Sequence, residues 1–151
     1  MAPEFTRAIS AASAAAADAG SEILTEQHLL LGVLADDLDV TAQVLVAVGV
    51  GPAPLRARLE VLLTRAKHPP PRGLDLPYSG PAARLLRDAV DAAVAAKELP
   101  VRPHWLVIKL LTRTSVAATV LTDALAEVEA TAEDFTAALR ARGSRHRDPA
   151  A

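Results

Sequence analysis

Thr25-Glu26-Gln27-His28-Leu29-Leu30-Leu31-Gly32-Val33-Leu34 is answered, 76 residues further on, by Val101-Arg102-Pro103-His104-Trp105-Leu106-Val107-Ile108-Lys109-Leu110. In each stretch a histidine leads a run of large apolar residues. A Val-Leu pair follows 16 residues after it, Val44-Leu45 in the first and Val120-Leu121 in the second. Self-similarity at so long a period indicates one helical unit written twice, with the two copies stacked to bury a shared core. The expected fold is therefore all-α: eight short helices in two four-helix repeats related by a pseudo-twofold.

Composition supports that reading. The chain has 151 residues, 51% of them hydrophobic, yet only two Phe, one Tyr and one Trp. Alanine, leucine and valine supply nearly all the rest, and alanine is the strongest helix former because it loses no side-chain entropy. A chain of this size fits one domain that buries roughly 68–70% of its unfolded surface. No apolar run approaches the ~20 residues that span a bilayer, and Met1-Ala2-Pro3-Glu4 lacks the features of a secretory signal. The absence of cysteine excludes disulfides, thiol catalysis and cysteine-bound zinc, and fits a cytoplasmic location. A formal charge of −2 gives no general reason to expect nucleic acid.

Start and stop signals divide the chain. Thr6 is expected to cap a first helix ending at Gly20, Thr25 a second through Leu34, and Asp39 a third stopped by Gly49. A fourth follows Pro52 and Pro54, with Leu55, Leu59, Leu62 and Leu63 at helical spacing. Five prolines and two glycines between Lys67 and Pro81 mark a linker. Ser79 and Pro81 open a second set, whose first helix carries Ala82, Leu85, Leu86, Ala89, Val90, Ala93 and Val94 on one face. Helices over about 102–111, 115–125 and 131–142 complete it. The domain is thus read as 1–142, with repeat one at about 5–65, a Pro-rich linker at 66–78 and repeat two at about 79–142; residues 143–151 form a disordered basic tail.

No motif of catalysis stands out: there is no Gly-x-Ser-x-Gly elbow, phosphate loop or dinucleotide fingerprint. His28 and His104 each stand without a second ligand at helical spacing, so they read as structural residues at helix starts and not as metal ligands. Asp36, Asp37 and Asp39 lack the alternation around a glycine turn that calcium requires. Arg140, Arg142, Arg145 and Arg147 suit a solvated helix end. Trp105 replaces Leu29 in the repeat, which points it to the core; alternatively its indole lines a groove between the halves. Tyr78-Ser79 and Phe5-Thr6 look like equivalent aromatic–hydroxyl starts, each an aromatic staple or one side of such a groove.

These residues carry a resemblance. The doubled His-[Leu/Trp]-Leu-[Leu/Val] phrase, the Phe-Thr and Tyr-Ser starts and the Val-Leu-x-x-x-Gly ending at Gly49 resemble the Clp amino-terminal domain of ClpC-, ClpA- and ClpB-type unfoldases over about Phe5 to Arg142. The resemblance implies a non-enzymatic docking module without cofactors, whose partners are Clp ATPase or protease components, adaptors or substrate proteins. Cyclic-peptide antibiotics are an alternative ligand, sequestered through Phe5 and Tyr78. It also implies binding positions at Phe5, Thr6, Glu26, Gln27, Tyr78, Ser79, Pro103 and Trp105. Members of the ClpC type grip phosphoarginine through a glutamate before each histidine. This chain has Gln27 and Pro103 there, so phosphoarginine binding is expected to be weak or absent, because neither makes the charge-assisted pair a carboxylate makes. Neither nucleic acid nor membrane is an expected partner. With no ATPase module following, the chain reads as a stand-alone paralogue that modulates Clp-dependent proteolysis.

Overall fold

The apolar runs that follow the two histidines lie side by side at the centre of the molecule. A computed structural model describes residues 2–63 and 76–145. Its helices are α1 (Pro3–Asp18), α2 (Glu26–Leu34), α3 (Val40–Val48), α4 (Pro52–Val61), α5 (Gly80–Ala95), α6 (His104–Leu110), α7 (Val116–Glu127) and α8 (Ala132–Arg145). Every residue of α2 from His28 to Leu34 is buried, as is all of α6 except Lys109. A helix apolar on all sides must be wrapped by others, and α2 and α6 are packed against each other within the remaining helices. Contacts between the repeats are reciprocal, α3 on α8 and α4 on α7, as a pseudo-twofold requires.

Local chemistry sets most boundaries. Thr25 caps α2, Asp39 caps α3 through its carboxylate and the Thr41 N–H (2.9 Å), and Ser79 caps α5 through the Ala82 N–H (3.1 Å). Each satisfies backbone donors that the first turn leaves unpaired. The chain leaves α1 and α3 through left-handed residues, Gly20 (φ 70°) and Gly49 (φ 96°). In the second repeat Lys97 (φ 58°) and Glu129 (φ 60°) make the same turns without glycine. The tightest packing is at Gly32. A Cβ there would overlap the Ala8 carbonyl oxygen and lie 2.8 Å from the Ala12 nitrogen, so α1 and α2 meet backbone to backbone.

The internal symmetry has a different register from the one the aromatic–hydroxyl pairs suggest. α1 buries Phe5, Ala8, Ala12 and Ala16, and α5 buries Ala82, Leu85, Ala89 and Ala93, each 77 residues later. Phe5 therefore corresponds to Ala82, and the residue matching Ser79 is Ala2, the N-cap of α1. Thr6 caps nothing; α1 begins at Pro3, whose fixed φ suits a first helical position, and Thr6 lies exposed within the helix. The same register stitches the halves together. Ala2 N–H donates to the Val101 carbonyl (3.2 Å), and Ser79 N–H donates to the Leu24 carbonyl (2.9 Å), beside a lone parallel bridge between Leu24 and Tyr78.

Two further expectations change. Val94 is exposed and lies off the buried face of α5. α8 continues through Gly143 to Arg145, so 143–145 are helical; residues 146–151 lie outside the described residues. Of the linker placed at 66–78, only Leu76, Pro77 and Tyr78 are described.

Candidate functional site

The pseudo-twofold creates two seams where the first helix of one repeat meets the start of the second helix of the other. At the first seam a groove of ≈ 450 Å³ is lined by Ala8 and Ala11 of α1, Gly32 of α2 and Pro103 at the start of α6. Glu4 and Arg7 rise from α1, while Asp36, Leu38 and Asp39 line it from the α2–α3 turn. The floor is apolar and the rim charged, and Leu38 stands 82% exposed at the lip. Asp39 is buried; desolvation pushes its carboxyl above the usual range, the Thr41 N–H opposes that shift, and Asp36 adds to it. The apolar floor comes from the small side chains that let α1 and α2 approach so closely.

The second seam is built from equivalent positions but is filled. Arg113, in the turn after α6, places Nε 3.4 Å from Glu26 Oε2 and Nη1 3.2 Å from Asp88 Oδ2. These groups come from three separate elements: the start of α2, the body of α5 and the α6–α7 turn.

The family model of the Clp repeat (R) N-terminal domain matches residues 1–124. The chain belongs to the Clp N-terminal repeat family. Among solved structures it is similar to a chain from structural investigations of a malarial protein secretion system, at 20% identity, TM-score 0.76, covering 97% of this chain and 96% of that one. It also resembles the Hsp104 N-terminal domain from Candida albicans (14% identity, TM-score 0.73, 92% and 88% covered). A third likeness is the N-terminal domain of the caseinolytic protease associated chaperone ClpD from Arabidopsis thaliana (21% identity, TM-score 0.70, 94% and 93% covered). At such identities the likeness is one of fold. Comparison with curated proteins gives no match.

In this Clp N-terminal domain the residues singled out from sequence fall into distinct groups. Pro103 lines the first groove, and Thr6 lies exposed on α1, the helix that walls it. Glu26 belongs to the filled second seam; Gln27 is half-buried beside it, its Oε1 3.4 Å from the Thr25 hydroxyl. Tyr78 is 41% exposed and its backbone is bridged to Leu24, whereas the Ser79 hydroxyl is taken up by its cap. Phe5 and Trp105 are corrections to the proposed surface: at 2% and 3% exposure both belong to the core. Trp105 lines no groove. Its Nε1–H donates to Glu98 (3.0 Å), and the guanidinium of Arg140 lies 5.8 Å from its ring centroid.

Both histidines are buried at helix starts. His28 Nδ1 accepts the Thr25 N–H (3.0 Å) and lies 2.9 Å from the Thr25 hydroxyl, reproducing a capping box with a ring in place of the usual glutamate. Burial holds its pKa below 6.5, so the ring is neutral at pH 7 and carries its proton on Nε2. His104 Nε2 lies 3.8 Å from Glu98 Oε2, and its ring packs on Gly143, where a Cβ would meet Cε1 at 2.7 Å. Glu98 also accepts the Ser144 hydroxyl (2.8 Å) and thereby ties the end of α8 to the start of α6.

Sequence reasoning missed Arg7, Leu38, Glu98 and Arg113. Charge and exposure alone do not separate them from ordinary surface residues. Aligning the two halves at the register of their buried faces pairs Glu26 with Arg102 and Asp37 with Arg113, and only the docking of the repeats brings Arg113 to Glu26.

Proposed function

We propose that this chain is a non-enzymatic docking module that binds protein or peptide segments, adaptors or substrates, and so modulates Clp-dependent proteolysis. The observation that carries this reading is the first-seam groove. It joins an apolar floor to a charged rim and draws its walls from both repeats, the form a peptide-binding cleft takes. Membership of the Clp N-terminal family supports the Clp connection.

Weak or absent phosphoarginine binding belongs to the same proposal. Gln27 and Pro103 offer no carboxylate, and Glu26 is already engaged by Arg113. Micromolar binding of free phosphoarginine in calorimetry would contradict it. The antibiotic-sequestering alternative relied on Phe5 and Tyr78 sharing a surface, and Phe5 is in the core.

The test is affinity capture from native cytosol with the purified chain as bait, alongside Leu38→Glu. Retention of Clp ATPase, protease or adaptor subunits by the wild type, lost in Leu38→Glu with an unchanged melting curve, supports docking at the first seam. Failure of the wild type to retain any Clp component removes the Clp connection; equal retention by both chains removes the groove.

A further inference from the structure

The outward face of α1 reads alike in both directions, with its charges exchanged. Arg7, Ala11, Ala14 and Asp18 follow one another at spacings of four, three and four residues. Helical geometry gathers them within an arc of about 60°, opposite the buried face of Phe5, Ala8, Ala12 and Ala16. Arg7, Ala14 and Asp18 are exposed and Ala11 is half-buried. Among the described residues, neither Arg7 nor Asp18 makes an ion pair. α1 lies at the edge of the domain, packed chiefly on α2. Beside the stripe, the first-seam groove shares Ala11 and Ala35 with a larger one of ≈ 530 Å³, whose far bank carries Arg56 and Glu60 of α4. From Glu4 to Ala19 this trough follows α1 for about 22 Å, at ~1.5 Å per residue.

We infer that α1 is a self-association surface, on which a second copy of this chain lays its own α1 antiparallel, about a two-fold axis between Ala11 and Ala14. In that register Arg7 of each copy meets Asp18 of the other, and Ala11 meets Ala14. The charges select the occupant. A parallel pairing would set Arg7 on Arg7 and Asp18 on Asp18, whereas the antiparallel one joins opposite charges at both ends. A patch that complements itself is what an isologous interface requires. The four-three spacing is the seam along which two helices pack at a shallow angle. Methyl side chains at its centre let the axes approach to about 8 Å. The charge pairs fix register and orientation more than strength, and a single helix pair stands at the small end of specific interfaces, so the dimer is a weak one.

α5 supplies the contrast. At an offset of 77 the same stripe reads Arg84, Asp88, Asp91 and Ala95. Paired antiparallel, it would set Asp88 against Asp91 twice and leave Arg84 facing Ala95. Of the two equivalent helices α1 alone is self-complementary, so association through this stripe stops at two copies. The partner covers Arg7 and Ala11, which also line the docking groove, so self-association and peptide docking exclude one another.

Sedimentation equilibrium of the full chain, from micromolar to millimolar concentration, tests this. The wild type is expected to approach the mass of a dimer at the upper end. Arg7→Asp and Asp18→Arg each place like charges at both ends of the seam and should weaken association at least tenfold. An equimolar mixture of the two variants should regain it, because each copy then offers the other two opposite charges. These positions are exposed, so melting temperatures should stay at the wild-type value. Should either variant fail to fold, Ala14→Glu decides, since it sets like charges beside the axis. Loss of the dimer in Ala14→Glu supports the inference, and a dimer of wild-type strength refutes it. A wild type that stays monomeric at millimolar concentration overturns the inference, as does association unchanged by either reversal or a folded mixture that stays monomeric. No peptide or Clp component enters the assay, so this inference stands or fails apart from the docking proposal.

Discussion

Substituting Gly32 by alanine tests the central packing directly. In an isolated helix the change is favourable by about 0.8–1 kcal/mol, because glycine gives up more backbone entropy. Here the new methyl would lie 2.8 Å from the Ala12 nitrogen and 2.9 Å from the Ala12 Cβ, and would overlap the Ala8 carbonyl oxygen. The obstacle is mostly helix backbone, which cannot rotate aside, so α1 must move away from α2 as a body. A shift of about 0.5–1 Å forfeits a quarter to a half of each dispersion contact across the interface, including those of Phe5, Ala8, Ala12 and Ala16 on the buried face of α1. Overpacking of this kind costs about 1–3 kcal/mol when side chains can yield and more when they cannot. After the propensity gain, a net loss of about 2–4 kcal/mol is expected. For a domain near this size that lowers Tm by about 4–16 °C. Calorimetric melting of Gly32→Ala against Gly80→Ala is the assay, since a Cβ at Gly80 meets only the flexible end of Arg84 at 3.4 Å. If Gly32→Ala melts at or above the wild-type temperature, α1 and α2 are not in backbone contact and the reasoning is wrong.

Three further expectations concern polar groups in the same frame. His28 has a pKa below its unfolded value of 6.5, so its contribution to stability is complete above pH 6.5 and is lost as the pH falls through the folded value. His28→Gln should show a shallower decline in Tm between pH 7 and 5 than the wild type, and an equal slope would refute this. Asp39→Ala should lose about 1 kcal/mol in denaturant unfolding through loss of the α3 cap. Asp39→Asn should fall within a few tenths of wild type, because asparagine also caps and removes a carboxylate that burial disfavours. Glu98→Ala should destabilise by about 1–3 kcal/mol by stranding the Trp105 N–H. It should also shift the emission of this only tryptophan, whereas Glu98→Gln should keep an acceptor and change less.

What was readable in the chain was what local chemistry decides. Thr25, Asp39 and Ser79 cap the helices they precede, and Gly20 and Gly49 end them, because a hydroxyl, a carboxylate and a missing Cβ act within a few residues. The apolar runs after His28 and His104 were equally plain. The error at Thr6 came from matching Phe5-Thr6 to Tyr78-Ser79 by kind of residue. The register is fixed by which residues each helix buries, and on that criterion Phe5 matches Ala82. The candidate site was harder to read because its parts are brought together only by the docking of the repeats. Pro103 reaches the groove from the other half, and Arg113 meets Glu26 from 87 residues away. Trp105 was readable as core, but its acceptor Glu98 lies across a non-helical stretch that carries no periodic signal.

The two crossed backbone bonds, Ala2 to Val101 and Ser79 to Leu24, have a consequence for how such a chain can be taken apart. Each repeat receives its stitch from the other, and each central helix finds much of its cover there too, so the repeat is a structural word but not a folding unit. Separated halves would meet as complementary fragments and rebuild the domain. A lone half carries both sides of the crossed pair and could satisfy them only against a second copy of itself. The domain has the architecture of a symmetric dimer joined into one chain, and that joining freed its two seams to become different.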